Sequence, residues 1–369
     1  MRRAQPRHPP TARRRVQRGG GRPGPAPGPA HRHHRALHQA VPERPGDRQG
    51  NRRQRLRRLS EEVAGGDHRS AAAMTAPVYG DFDQDQLDAQ YSPSSMVDDI
   101  RPFLDDYADR SRLAQQELAA VARRDLRFGP GDDDRLDVYG PSGPGPESRP
   151  ALFFVHGGYW QQLSKEDTAF PAPAMVQAGA VYATPDYTLA PRARLSDIVD
   201  QVRRAFVWLW RRAADHRIDP ERIVVSGSSA GAHLAAMLLA TPWRQWGLPA
   251  DPIAGAVLFG GIYDLTPVRQ TYVNDVVGID GSEVQDCSPL LLTPSVRCPM
   301  VIAWGERETD EFKRQSRAFA EHLRRQGCPV TAFEQSGRNH FDSPVELAVP
   351  SARVHAETLR LMRLAAARR

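Results

Sequence analysis

Six short, nearly unbroken apolar runs recur along this chain: ALFFVHGG (151–158), AVYATPDY (180–187), RIVVSGSS (222–229), IAGAVLFGG (253–261), PMVIAWGE (299–306) and PVTAFEQSG (329–337). Runs of this length fit parallel strands covered on both faces, because a half-solvated strand would alternate apolar and polar residues. Between the runs the apolar spacing becomes helical. Residues 196–213 place Ile198, Val202, Ala205, Phe206, Leu209 and Ala213 on one stripe, with Ser196 as the expected N-cap. Residues 310–326 do the same with Phe312, Phe319, Ala320 and Leu323, and Gly327 follows where a helix would stop. Trp208 and Trp210 are read as packing residues of the first of these helices. Such alternation predicts an α/β fold with a mostly parallel central sheet and helices on both faces. Ahead of it, RDLRFGPGDDDRLDVY (124–139) reads as two short strands around a Gly/Asp-rich turn.

Charge divides the chain in two. Residues 1–73 carry 18 arginines against five acidic residues, a balance of +13; the whole chain sums to +6, so the other 296 residues carry −7. The first segment has few apolar residues and no periodicity. It is expected to be a disordered Arg/Pro/Gly-rich extension, solvated or added by an over-early start, ahead of one domain over 74–369. Arginine clusters also suit phosphates, but a solvated tail is the commoner meaning of this composition, so no nucleic-acid partner is expected. His31, His33, His34 and His38 lie in that tail, where a histidine cluster is poor ground for a metal site.

Cys287, Cys298 and Cys328 are scattered and odd in number, giving neither a disulfide framework nor metal-ligand spacing, which suits a reducing cytosol. No apolar run approaches the roughly 18–20 residues that span a bilayer, and the charged N-terminus lacks the apolar stretch of a secretory signal. The expectation is a cytoplasmic protein without metal or cofactor. Its expected partner is a small-molecule substrate rather than a nucleic acid or membrane, with a homodimer the one assembly considered.

Chemistry concentrates at Gly227-Ser228-Ser229-Ala230-Gly231. A lone G-x-S-x-G is weak, but here RIVV enters as a buried strand and AHLAAMLLA leaves as a helix. This is the strand–turn–helix setting that lifts a serine onto a strained, exposed elbow. Ser229 is therefore the expected nucleophile of an acyl transfer, and the helix N-terminus behind it favours developing negative charge. His156-Gly157-Gly158-Tyr159-Trp160 ends the first buried strand, upstream of the elbow. Its glycines let backbone amides approach an oxyanion. The expected donors are the amide of Ala230 with those of Gly157 and Gly158, and His156, Tyr159 and Trp160 are candidates for the substrate pocket.

A base and an acid are still required. His340 sits in SGRNHFDSP just after the last strand, where a histidine can hang toward the serine. His216, His233, His322 and His355 are placed before a strand or on helices, and fit worse. Glu306, Glu308, Asp310 and Glu311 compete for the acid after PMVIAWG. Aspartate is the commoner triad acid, which favours Asp310. Distance from the strand end favours Glu308, and Asp310 also reads as a helix-start carboxylate. The order Ser229, acid, His340 is that of the α/β-hydrolases.

At these positions the chain resembles the kynurenine formamidase (arylformamidase) branch of the α/β-hydrolases. The likeness runs from about Tyr91 to about Pro350 and rests on HGGYW (156–160), GSSAGAHLA (227–235), GERETDEFKRQS (305–316) and GRNHFD (337–342). HGGYW is more specific than the HGGG of hormone-sensitive-lipase-like esterases. In that branch the acid stands three residues past the strand-end glycine. The resemblance therefore implies Glu308, with Glu311-Phe312 matching the family's EF pair, although eukaryotic members carry aspartate there. It further implies hydrolysis of N-formylkynurenine to kynurenine and formate, with a short-chain carboxylesterase of the same fold as the alternative.

Overall fold

The computed structural model describes residues 76–140 and 148–364; the extension expected over 1–73 lies outside them. In chain order the elements are α1 (Gln84–Gln90), α2 (Arg101–Glu117), β1 (Ala122–Arg127), β2 (Arg135–Tyr139), β3 (Arg149–Val155), α3 (Ala172–Gln177) and β4 (Val181–Pro185). They continue as α4 (Leu195–Arg211), β5 (Ile218–Ser228), α5 (Ala230–Leu239), β6 (Gly255–Phe259), α6 (Leu265–Val268), α7 (Asn274–Val277) and α8 (Gly281–Cys287). The last are β7 (Met300–Arg307), α9 (Asp310–Arg325), β8 (Val330–Asn339) and α10 (Arg353–Leu361).

The strands form one sheet in the order β1-β2-β4-β3-β5-β6-β7-β8. β1 pairs antiparallel with β2, and β2 with β4. The pairings from β4 through β3 to β8 are all parallel. Strand alternation sorts the apolar side chains into two cores. Phe153 and Val155 of β3 join Ile198, Val202 and Phe206 of α4, Leu234 and Leu238 of α5, and Phe312 and Phe319 of α9. Leu152 and Phe154, pointing the other way, join Ala114 of α2, Met175 of α3 and Leu359 of α10. Five of the six apolar runs are thus buried because both faces carry helices; the sixth, 329–337, forms the edge strand β8 and is half-exposed, with Glu334, Ser336 and Gly337 open to solvent, so its expected burial on both faces does not hold.

Local chemistry differs from expectation at one cap. α4 begins with Leu195, and Arg194 occupies the N-cap position, so Ser196 lies inside the helix. Its amide and hydroxyl both donate to Glu283 Oε1 of α8, at 2.9 and 2.8 Å; a tertiary acceptor displaced the local cap. Trp208 and Trp210 pack, partly buried, against the first core. Among the described residues no helix is long and apolar enough to cross a membrane.

Candidate active site

β3 connects to β4 on one side of itself, whereas the chain returns from β4 through α4 to β5 on the other. The carboxyl ends of β3 and β5 therefore flank a topological switch point, the crevice where open α/β sheets place ligands. The register sets Val155 opposite Gly227, so the two glycine-bearing motifs leave the sheet side by side.

Ser229 stands between β5 and α5 with φ 57° and ψ −122°. A non-glycine residue in such a conformation carries roughly 1–3 kcal/mol of strain and persists only where its surroundings hold it. Here its amide donates to Phe259 O of β6 at 2.8 Å. Close packing explains the glycines. A Cβ on Gly227 would lie 2.3 Å from Gly231 O, and one on Gly231 would lie 2.1 Å from Val155 O. A Cβ on Gly157 would meet Ser228 O at 2.7 Å and Ser229 Cβ at 3.3 Å. Only a hydrogen at residue 157 lets the HGG loop lie against the elbow. Ala230, buried, is the first residue of α5, where amides have no intrahelical partner.

His340 follows β8 directly, on a loop closed by its own polar groups. Asn339 Oδ1 accepts from the amides of Phe341 (2.8 Å) and Asp342 (3.0 Å), and Asp342 Oδ1 accepts from the amide of Asn339 (2.6 Å). Tyr107 of α2 donates to Phe341 O, and the ring of Phe312 stands edge-on to His340 at 4.6 Å. His340 Nδ1 donates to Glu308 Oε2 at 3.0 Å, both residues being buried. Glu308 Oε1 accepts from the amide of Gly305 at 2.8 Å. Its carboxylate is thus fixed at both oxygens.

The competing acids are engaged elsewhere. Asp310 is exposed in the first turn of α9. Glu306 accepts from Ser336 Oγ and the amide of Gly337. Glu311 is bidentate with Arg314, at 2.6 and 2.7 Å. The structure brings Glu308 to His340 and leaves Asp310 apart. Among the described residues Ser229 Oγ and His340 share no hydrogen bond, and such bonds commonly tighten only once substrate is bound.

The pocket candidates separate. His156 has no exposure; its ring stacks on Tyr187 at 4.0 Å and its Nδ1 lies 2.9 Å from Gly157 O. Burial pushes its pKa down to about 4. Trp160 is equally enclosed, and its indole N–H donates to His233 Nδ1 of α5 at 3.3 Å. Neither side chain opens onto a pocket; both brace the loop that carries Gly157. Tyr159 alone keeps partial exposure. Its hydroxyl donates to Tyr91 O, and Gly158 beside it has φ +95°. Among the described residues no group of histidine, cysteine, aspartate and glutamate side chains is spaced to hold a metal ion, and all three cysteines are free and buried.

A family model described as BD-FAE matches residues 136–245. Kynurenine formamidase of Danio rerio is 35% identical over 272 residues, which is 70% of this chain and 89% of that protein. The chain belongs to the kynurenine formamidase branch of the α/β-hydrolases. A second relative, kynurenine formamidase of Salmo salar, is 33% identical over 71% of this chain and 90% of its own length. Among solved structures, one from Silicibacter sp. TM1040, provisionally assigned as a thioesterase, superposes with a TM-score of 0.64. It is 26% identical and covers 73% of this chain and 98% of that one.

Sequence reasoning on this α/β-hydrolase missed a buried network that joins the N-terminal segment to the acid-bearing region. Tyr91 donates to Glu311 Oε2 at 2.8 Å, and Gln315 Nε2 donates to Tyr91 OH at 2.7 Å. Thr309, next to Glu308, donates to Gln90 O at 2.6 Å. The KRQS stretch entered only as a family likeness. Nothing in a single sequence pairs positions more than 200 residues apart.

Proposed function

We propose that this hydrolase deformylates an aryl formamide, N-formylkynurenine, to kynurenine and formate, with Ser229, His340 and Glu308 as the catalytic triad. The observation that carries the reading is the strained Ser229 packed directly against Gly157, on a sheet whose far end holds the buried Glu308–His340 pair. The names of the Danio rerio and Salmo salar relatives support the substrate.

In this reading each step falls to one group. Glu308 accepts a hydrogen bond from the Nδ1–H of His340, which keeps that proton on Nδ1 and leaves Nε2 unprotonated, the tautomer a general base needs. Ser229 Oγ attacks the formyl carbon while its proton passes to Nε2. The carbonyl oxygen becomes an oxyanion, held by the amide of Ala230 and by those of Gly157 and Gly158. Nε2 then returns the proton to the aniline nitrogen, the C–N bond breaks, and kynurenine leaves. A water molecule gives a proton to Nε2 and attacks the formyl ester on Ser229. Collapse of that intermediate returns the proton to Oγ and releases formate.

A fluorophosphonate probe checks the nucleophile: wild type is labelled and Ser229→Ala is not. The same substitution should lower kcat on the order of 10⁶-fold. Equal labelling of both proteins would remove Ser229 from the role. The second reading, a short-chain carboxylesterase with the same triad, draws on a relative named Esterase LipQ of Mycobacterium tuberculosis, 29% identical over 254 residues. It shares every step except protonation of a poor leaving group.

A further inference from the structure

The segment ahead of the sheet is bound to the site at several points. α1 and the short 3₁₀ turn Pro93–Met96 are tied to the segment around α6 and α7, which follows β6. Gln84 Nε2 donates to Gln270 O and the amide of Tyr272 to Asp88 Oδ1, both at 2.8 Å; Ser92 Oγ donates to Tyr272 OH at 3.0 Å. Its inner anchor is Tyr91, which has no exposure. The phenol is held by Glu311 and Gln315, and the Gln315 amide uses its full hydrogen-bonding capacity. Nε2 donates to Tyr91 OH and to Asp264 O (2.7 and 2.9 Å), while Oε1 accepts from the amides of Tyr263 and Asp264 (2.6 and 2.7 Å). On its other side the main-chain carbonyl of Tyr91 accepts the hydroxyl of Tyr159. Tyr159 follows Gly158 at φ 50°. A continuous line of contacts therefore runs from α9 through Gln315 and Tyr91 to Tyr159 and the oxyanion loop.

We infer that Tyr91 is a positioning residue that sets acyl-group size: clamped by Gln315 and Glu311, it holds its carbonyl where the Tyr159 hydroxyl must dock, keeping that ring as a fixed wall beside Gly158. The inference rests on the reading of Ser229 as nucleophile. A hydrogen or methyl on the substrate carbonyl fits under a fixed ring. A longer chain requires the ring to swing, which strips a hydroxyl of its partner, and a buried polar group without a partner is costly.

Acyl-length selectivity tests this. The ratio of kcat/KM on p-nitrophenyl acetate to that on p-nitrophenyl butyrate is measured for wild type, Tyr91→Phe, Tyr159→Phe and the double variant. Tyr91→Phe removes only the clamped hydroxyl, and Tyr159→Phe removes the docking bond from its other end. Each should lower the ratio about tenfold, the size expected from one buried hydrogen bond. The double variant should lower it no further, since both changes break one linkage. Should Tyr91→Phe fail to fold, Gln315→Glu substitutes, keeping the acceptor bonds to Tyr263 and Asp264. Variants that lose thermal stability but keep the wild-type ratio would reduce Tyr91 to a packing residue and overturn the inference. So would independent, additive effects. The readout uses esters alone, so it stands apart from activity on N-formylkynurenine. Absence of ester turnover, with or without fluorophosphonate labelling, would overturn it as well.

Discussion

Glu308 must both reach a histidine and stay in place, and its two oxygens divide the work: one takes the Gly305 amide, the other His340 Nδ1. Glu308→Gln should lower kcat by about 10⁴, because the imidazole loses the partner that fixes its tautomer. Asp310→Asn should leave kcat unchanged and cost about 0.3–1 kcal/mol of stability, the worth of a carboxylate in a first helical turn. Steady-state kinetics and thermal melts on the two variants check the pair. A crippled Asp310→Asn beside an active Glu308→Gln would reverse the assignment. Sequence spacing narrowed the acid to four neighbours and favoured two of them. Of these it preferred Glu308 to Asp310, on distance from the strand end, but what decides is which carboxylate turns inward, and that depends on contacts with β8 and α9.

At the scale of elements, the loop after β3 and the helix after β5 are locked together through His233 of α5. Its Nε2–H donates to Cys287 O at 2.7 Å, which leaves Nδ1 to accept the indole N–H of Trp160 at 3.3 Å. Only the neutral ring satisfies both partners, and burial holds its pKa down to about 4. Protonation would set an N–H against the indole N–H and loosen the brace behind Gly157. The sequence marked His233 as a helix residue unsuited to be the base, and that placement agrees with the structure. Its bracing role was not legible, since both partners come from distant segments. Ser196 shows the same limit: the pattern for a cap was present, but Glu283 of α8 claimed the side chain. The inner strands β3 to β7, by contrast, were legible within a few residues at each end, because burial on both faces writes itself into uninterrupted apolar runs.

For the whole molecule these buried histidines give stability a pH dependence with a definite sign. His156 and His233 have folded pKa values near 4 against about 6.5 unfolded. Between those values the unfolded chain binds two protons that the folded one refuses, so stability is complete above about pH 6.5 and falls as pH drops toward 4. Asp186, raised by burial to about 7, opposes this by keeping one proton when folded that the unfolded chain has lost. With His216 also pushed down by burial and Asp342 pushed up by it, the lowered histidines outnumber the raised acids, so stability keeps a positive slope on pH across that window, each histidine contributing up to about 1.4 kcal/mol per pH unit. Denaturant titrations from pH 4 to 6.5 should show that slope, and His233→Gln should flatten it; a wild-type slope of zero or of opposite sign would refute the assignment of these groups. At the same scale, we propose from composition alone that the arginine-rich residues 1–73 are dispensable for the hydrolase. A chain beginning at Met74 should keep the melting temperature and kcat/KM of the full protein, and a large loss of either would show that the extension contributes to the enzyme.

A formamidase and an esterase differ in the bond that is cleaved. In the proposed mechanism the amine leaves only once His340 has delivered a proton to its nitrogen, a step nitrophenolate does not need. The most direct measurement is kcat/KM on N-formylkynurenine beside that on p-nitrophenyl acetate and butyrate, with one preparation of the wild-type protein. A formamidase should turn over N-formylkynurenine with the highest kcat/KM, acetate esters modestly and butyrate esters poorly. Brisk hydrolysis of butyrate with N-formylkynurenine at background would contradict the account and leave an esterase in its place.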